Sequence, residues 1–345
     1  MSTRLPVVSS RVPSSFVAVA KQYGPGLALA AIIALAAQAV CAWSGLTFVS
    51  PLIVAITLGA VVRATVGAPE VARSGIRVAL RPVLRIGIVL LGFQLTATQV
   101  TALGFSGLGI IAVSLVATFV FTVTLARVLG VDSKLAQLIA AGTSICGASA
   151  IIATNTVTRA SDEDVAYAVA CVTLFGTISM VLYPLLLPVL GLGVDAYGVW
   201  AGTSIHEVAQ VVAAAFQGGT EAGHAGTIAK LTRVMMLAPV VVALGSIVAS
   251  RAKSGGPARA AVTVPLFIVG FVATTALNSV ITIAPSVSHD IARVTAFLLA
   301  TALAAMGLEL DARKLWAKGV RPLALGAAAS IFIALFALAL VEIAY

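Results

Sequence analysis

The sequence predicts an all-α polytopic membrane protein of about eleven transmembrane helices, with inverted repeats and helices broken at the midplane. Three observations predict it. Of the 345 residues, 60% are hydrophobic and 10% charged, with a mean hydropathy of +1.11. Soluble domains carry about 45–50% apolar and about 25% charged residues, so a water-soluble fold of this length could not hide the apolar surface. The apolar residues form long runs, and short basic clusters alternate between those runs. Thirty glycines scattered through the runs suit close packing of membrane helices.

Taken in order, residues 1–26 read as a cytoplasmic tail, polar and basic (Arg4, Arg11, Lys21) and broken by Pro6, Pro13 and Pro25. Residues 27–345 then form a single transmembrane domain, with no separate soluble domain or low-complexity segment. A span needs roughly 20 apolar residues, and runs of that kind fall at 27–43, 48–63, 84–102, 105–127, 135–157, 164–190, 198–216, 227–250, 261–283, 290–310 and 321–343. The tetrapeptide Ala39-Val40-Cys41-Ala42 resembles a signal-peptidase site, but a second span begins within a few residues, so no cleavage is expected. Cys41, Cys146 and Cys171 are odd in number and lie in apolar stretches, which implies no disulfide framework.

Charge sets the expected orientation. With the N-terminus in the cytoplasm and every span crossing, the cytoplasmic side receives Arg63, Arg73, Arg77, Arg81, Arg85, Arg127, Lys134, Arg251, Lys253, Arg259, Arg313, Lys314, Lys318 and Arg321. The opposite loops hold Arg159, with Lys230, Arg233 and Arg293 just inside helix ends, and the C-terminus lies outside. The net charge of +9 is explained by this positive-inside pattern, without aromatic interleaving, and nucleic acid is not expected as a partner. Residues 64–83, with Arg73, Arg77 and Arg81 among Val71, Ile76, Val78 and Leu80 and with Arg63 and Arg85 flanking them, read either as an amphipathic helix at the headgroups or as a solvated basic loop. An internal repeat is visible at low identity: Pro51-Leu52 against Pro265-Leu266, and Gly92-Phe93-Gln94-Leu95 against Gly307-Leu308-Glu309-Leu310, crossing in opposite directions.

The sharpest chemical signal is a repeated tetrapeptide, Gly142-Thr143-Ser144-Ile145 in the fifth span and Gly202-Thr203-Ser204-Ile205 in the seventh. Gly is a poor helix former and the hydroxyls can replace lost backbone bonds. Unwinding here would aim free N–H groups and the positive end of a half-helix into the bundle, a ready site for an anion. The alternative is tight packing by small residues. Candidate substrate-binding residues are therefore Gly142, Thr143, Ser144, Ser149, Gly202, Thr203, Ser204, His206 and Gln210. His206 and Glu207 are ionisable groups near mid-membrane, where such groups mark function by default. Thr203, His206 and Gln210 share a helix face, with Glu207 about 100° away. Either His206 or Glu207 could carry a coupling proton. Gln94 and Glu309, related by the repeat, are candidates for a coupling cation, against the reading of Glu309 and Asp311 as interfacial partners of Arg313 and Lys314. Asn155 and Asn278 read as helix bridges.

Several motifs fall short. His206-Glu207-Val208-Ala209-Gln210 lacks the second histidine of a zinc site, and no metal or other cofactor is expected. Gly107-Leu108-Gly109 and Gly191-Leu192-Gly193 follow no strand, and there is no phosphate-binding Gly-rich ATPase loop. Without a complete nucleophile or metal set, the chain is expected to be a transporter and not an enzyme.

The stretches Arg85–Leu95, Gly142–Ile151, Gly202–Val211 and Gly307–Leu310 together resemble the YeiH family, whose members carry a sulfate-exporter label. The likeness covers nearly all the chain after the N-terminal tail. It implies a multi-pass transporter of the bacterial inner membrane. The expected function is secondary transport, in the export direction, of a small anion such as sulfate or another sulfur oxyanion. Its partners would be that solute and the lipid bilayer, with a homodimer left open. A cation-coupled carrier of a small organic solute, using Glu207 and Glu309, is the runner-up. An anion channel and an intramembrane enzyme are the remaining readings.

Overall fold

The computed structural model describes residues 16–44, 50–237, 239–241, 243–244, 266–281, 283–310 and 318–345. Arg4, Pro6, Arg11, Pro13, the cluster Arg251, Lys253 and Arg259, Pro265, and the group Asp311, Arg313 and Lys314 lie outside the described residues. All regular elements among those described are helical. In chain order they are α1 (Phe16–Ser44), α2 (Pro51–Thr65), α3 (73–94), the short α4 (Ala97–Ala102), α5 (Gly104–Leu129), α6 (133–146), α7 (Ala148–Thr158), α8 (Asp162–Leu190), α9 (Val194–Ser204), α10 (Val208–Gly218), α11 (Thr220–Met235), α12 (Leu266–Val280), α13 (Pro285–Glu309) and α14 (Val320–Ala344). Five helices are long and apolar enough to cross a membrane: Ala18–Trp43, Gly104–Leu129, Asp162–Leu190, Pro285–Glu309 and Val320–Ala344. With the shorter apolar helices beside them, they make this a polytopic α-helical membrane protein.

Local chemistry sets the helix ends. The Ser50 hydroxyl accepts the Leu52 amide at 3.1 Å, with Pro51 in the first turn, where its missing N–H costs nothing. Asp132 accepts from the amides of Lys134 and Leu135, and Ser161 accepts from that of Asp164. Gly130 and Gly191 end α5 and α8 in the left-handed region. The basic stretch before the third span is helical from Arg73 and runs into it through a π turn at Ala79–Val83. There Ile76 is buried and Gly75 packs on the α1 backbone, so the solvated-loop alternative is set aside.

The fifth and seventh segments do not run straight through the bundle. Lys134 Nζ donates to the carbonyl of Arg159 at 3.0 Å, although a straight helix would hold these residues about 37 Å apart. Tyr197 Oη likewise donates to the carbonyl of Ala214 at 2.9 Å, and Gly218 lies against the Tyr197 ring. Each segment is therefore a helical hairpin, α6–α7 and α9–α10, with both feet at one end of the bundle. This corrects the orientation expected for Arg159: it lies beside Lys134, at the end where Lys318 also reaches Asp164 at 2.5 Å. The second hairpin enters from the other end. Its foot leads into Glu221, which accepts from Gln99 Nε2 at 3.3 Å, near the contact between the Ala97 amide and Ser279 Oγ at 2.7 Å.

The chain reverses where the backbone departs from the α-helix. In the first hairpin a π turn over Gly142–Cys146 closes with the Gly147 amide on the Gly142 carbonyl at 2.8 Å, and Gly147 then turns at φ +71°, ψ −133°. That conformation is open to glycine and strained for other residues. In the second, α9 ends at Ser204 and the chain is extended at Ile205 and Glu207. The first tetrapeptide thus lies within the π turn and its break follows at Gly147, whereas the second is helical only as far as Ser204 and breaks at its own last residue, Ile205. The reason is packing. Gly202 lies on the Gly226 carbonyl of α11, and Gly142 against Val172 and Ile151, so these glycines serve close approach, while the reversal falls where no amide follows to take the last carbonyls.

Candidate functional site

The two hairpin tips meet on α11. Lys230 stands ten residues into that helix, about 15 Å from its start and so near the middle of an apolar layer about 30 Å thick. Lys230 and Arg233 are both fully buried. Lys230 Nζ donates to the carbonyls of Ile145 at 3.0 Å and Ile205 at 2.8 Å. Arg233 donates from Nε to Ser144 O at 2.9 Å, from Nη1 to Thr203 O and Ile205 O at 2.5 and 3.3 Å, and from Nη2 to Thr143 O at 2.5 Å. Five carbonyls from two broken helices thus converge on two cations. The negative ends of both half-helix dipoles lie there, which is why positive side chains are favoured.

The positive ends are served by a carboxylate. Glu207, at the tip of the second hairpin, accepts from the Ala148 amide that opens α7 at 2.7 Å. Gly147 makes room, since a Cβ there would collide with the Glu207 carboxylate. Glu207 belongs to one hairpin and caps the other, so it joins the two tips. Gln210 fixes its neighbour: its Oε1 accepts from the Glu207 amide at 3.1 Å, and its Nε2 donates to Thr173 O and Thr177 Oγ1, both at 3.2 Å, in space left by Gly176. Gln210 is a positioning residue here. In the second-histidine place of the incomplete zinc motif it holds backbone.

His206 is buried, and its Nε2 lies 3.1 Å from Ser330 Oγ on α14. Ser204 Oγ donates to the Trp200 carbonyl at 2.6 Å, behind which the Trp200 and Tyr183 rings stack at 3.8 Å. Ser144 Oγ, Thr203 Oγ1 and Nδ1 of His206 are buried without a partner among the described residues. Buried polar groups are normally paired, so these three are open to a further partner at the junction.

Of the sequence candidates, Gly142, Thr143, Ser144, Gly202, Thr203, Ser204, His206, Glu207 and Gln210 all come together at this junction. Thr143 contributes its carbonyl. Ser149 is exposed on α7 and faces away from it. Gln94 lies in the turn that ends α3 and lines a cleft of about 350 Å³ with Phe93, Asn278, Ser279 and Ser288. Glu309 is exposed at the far end of α13, 21 residues and about 30 Å beyond Ser288. Gln94 and Glu309 therefore do not share a site. Asn278 Nδ2 donates to Leu95 O at 3.0 Å and Asn155 Oδ1 accepts from the Ala160 amide at 2.8 Å, both structural as expected. Lys230 and Arg233 were missed because basic residues near a run's boundary read as loop flanks. Their three-residue spacing inside an unbroken helical stretch is the signal that could have found them.

The fold and junction define a class: a polytopic helical membrane protein with two helical hairpins meeting tip to tip at buried charges. Residues 25–326 match the family described as conserved hypothetical protein 698, and the chain belongs to that family, the UPF0324 membrane proteins. It is 36% identical over 321 residues to a UPF0324 membrane protein of Listeria monocytogenes, covering 93% of this chain and 96% of the relative. It is 38% identical to the UPF0324 inner membrane protein YeiH of Salmonella typhi, and 37% to YeiH of Escherichia coli K12. Each covers 308 residues, 87% of this chain and 88% of the relative. No solved structure matches the chain.

Proposed function

We propose that this protein is a secondary carrier of a small anion, held between the two hairpin tips by Lys230 and Arg233. One observation carries the reading: two fully buried cations, Lys230 and Arg233, are accompanied at the junction by a single carboxylate, the half-buried Glu207. The two negative helix ends offset about one positive charge, and Glu207 balances the two positive ends. About one positive charge is left over in a medium where an unbalanced charge is costly. A bound anion supplies the balance. The half-helix N-termini first suggested by the sequence are less suited to it, because Glu207 already occupies them.

In this reading the protein is a carrier and not an enzyme, works in the bacterial inner membrane with its N-terminus in the cytoplasm, and needs the bilayer and the solute as partners. The two hairpins enter from opposite faces as inverted repeats, so each tip can act as the gate for its own side. Export of sulfate or a related sulfur oxyanion is one case, and a homodimer is compatible with it. The cation-coupled alternative loses ground, since Glu207 sits within electrostatic reach of Lys230 and its Oε1 accepts a backbone amide.

The test is a thermal-shift series on purified protein. A saturable rise in melting temperature with at least one small anion, lost in Lys230→Met, supports the carrier. Stabilisation by sodium with none by any anion overturns it.

A further inference from the structure

We infer that the species held at the hairpin junction is a monoanion that also brings a hydrogen-bond donor, which it gives to Nδ1 of His206. The inference rests on the anion-carrier reading and narrows its substrate class.

The His206 tautomer follows from its neighbour. Ser330 Oγ lies 2.8 Å from the Gly326 carbonyl, which can only accept, so the single hydroxyl hydrogen goes there. At the 3.1 Å contact with His206 the hydroxyl must therefore accept, and Nε2 carries the hydrogen. In the neutral ring Nδ1 is then a bare lone pair. It is buried, at the tip of the second hairpin between Ile205, whose carbonyl meets both cations, and Glu207, and no described residue donates to it.

The other open valences at the junction are donors. An ammonium has three hydrogens and Lys230 uses two; a guanidinium has five and Arg233 uses four. The hydroxyls of Ser144 and Thr203 are unspent as well. A complementary ligand thus offers several acceptor oxygens, one negative charge and one donor. A hydrogen oxyanion fits, and so does a sulfonate bearing a hydroxyl group. A sulfate dianion has no hydrogen to offer, would set an oxygen against the Nδ1 lone pair, and exceeds the single charge to be balanced.

Matched pairs test this on the purified full-length protein by competition binding. Hydrogencarbonate against nitrate compares two planar monoanions that differ by one donor. Isethionate against ethanesulfonate does the same on one carbon skeleton. In at least one series the donor-bearing member is expected to bind about tenfold tighter, the size of one good hydrogen bond. Preference in the inorganic pair alone identifies a compact hydrogen oxyanion, and in the organic series alone a substituted sulfonate. His206→Leu removes both ring nitrogens and with them the Nδ1 acceptor, so the ratio of donor-bearing to donor-free affinity should fall to about one, whatever the absolute affinities. Equal or tighter binding of donor-free anions to the wild type overturns the inference and leaves the carrier reading intact, and needs no variant. A preference that survives in His206→Leu overturns the assignment to Nδ1. If no member of either series binds while another anion such as sulfate does, the inference falls and the carrier reading stands; if no anion binds at all, both fall.

Discussion

Lys134 opens the first hairpin and Arg159 closes it, and the ammonium of one donates to the carbonyl of the other at 3.0 Å. The contact makes a membrane-topology prediction, because two residues this close cannot lie on opposite faces of a bilayer. In a background without Cys41, Cys146 and Cys171, a cysteine at Glu163 should be labelled from the same side as one at Ser133. A cysteine at Gly193 should be labelled from the same side as one at Thr98. If eleven segments all crossed, both pairings would be exchanged, and that labelling pattern would exclude the hairpins.

Glu207 holds the tips together, so its charge should matter to stability before any solute is present. Glu207→Gln keeps the shape but removes the negative charge facing the Ala148 amide. Losing a hydrogen bond to a charged group typically costs about 1.5–3 kcal/mol, and the ligand-free melting temperature should fall by a few degrees. The same change leaves more positive charge at the junction, so the rise produced by a bound anion should be larger than in the wild type. An unaltered ligand-free melt would show that the carboxylate does not latch the tips.

The sequence made the helical segments and the chemistry at their breaks legible, for separate reasons. Apolar run length is set by bilayer thickness, so the segment positions follow directly. Gly, Thr and Ser clustered in an apolar run mark departure from simple helix packing, and both breaks fall just after such clusters. Reversal at those breaks was hidden. A hairpin and a crossing segment bury the same apolar residues, and only tertiary contacts such as Lys134 with Arg159 or Tyr197 with Ala214 separate them. The alternation of basic loops did not help: two hairpins entering from opposite ends leave the parity of all later segments unchanged. Arg159 alone stood on the wrong side, and one residue is a weak signal. The role of Lys230 and Arg233 was hidden because their partners are backbone carbonyls 25 to 90 residues earlier in the chain.

The crossing of α2 and α13 predicts a sharp steric limit. A Cβ on Gly59 would strike the Ala304 carbonyl, and one on Gly307 the Ile56 carbonyl, so the helices meet backbone to backbone. Gly307→Ala should therefore lower the melting temperature by several degrees, as overpacking costs about 1–3 kcal/mol. Gly24→Ala, where an added Cβ meets nothing, should be neutral or stabilising. Equal behaviour of the two variants in detergent melts would argue against close approach at this crossing.

The two buried cations should separate under substitution, because they hold different numbers of carbonyls. Removing Arg233 leaves Thr143 O, Ser144 O and Thr203 O without their side-chain donor, while Ile205 O keeps Lys230. Removing Lys230 strands only Ile145 O, since Ile205 O keeps Arg233. An unsatisfied buried group costs about 1–3 kcal/mol, so Arg233→Met forfeits several kcal/mol at both tips and should fail to accumulate or melt far below the wild type. Lys230→Met loses about one such contact and also removes the unbalanced positive charge, which offsets part of that cost. It should accumulate, melt within a few degrees of the wild type, and show no anion-induced rise. Expression level and ligand-free melting temperature read the first difference, and the anion series reads the second. Should Lys230→Met retain a full anion response, the surplus charge does not bind the solute, and both cations serve only to hold the broken helices in place.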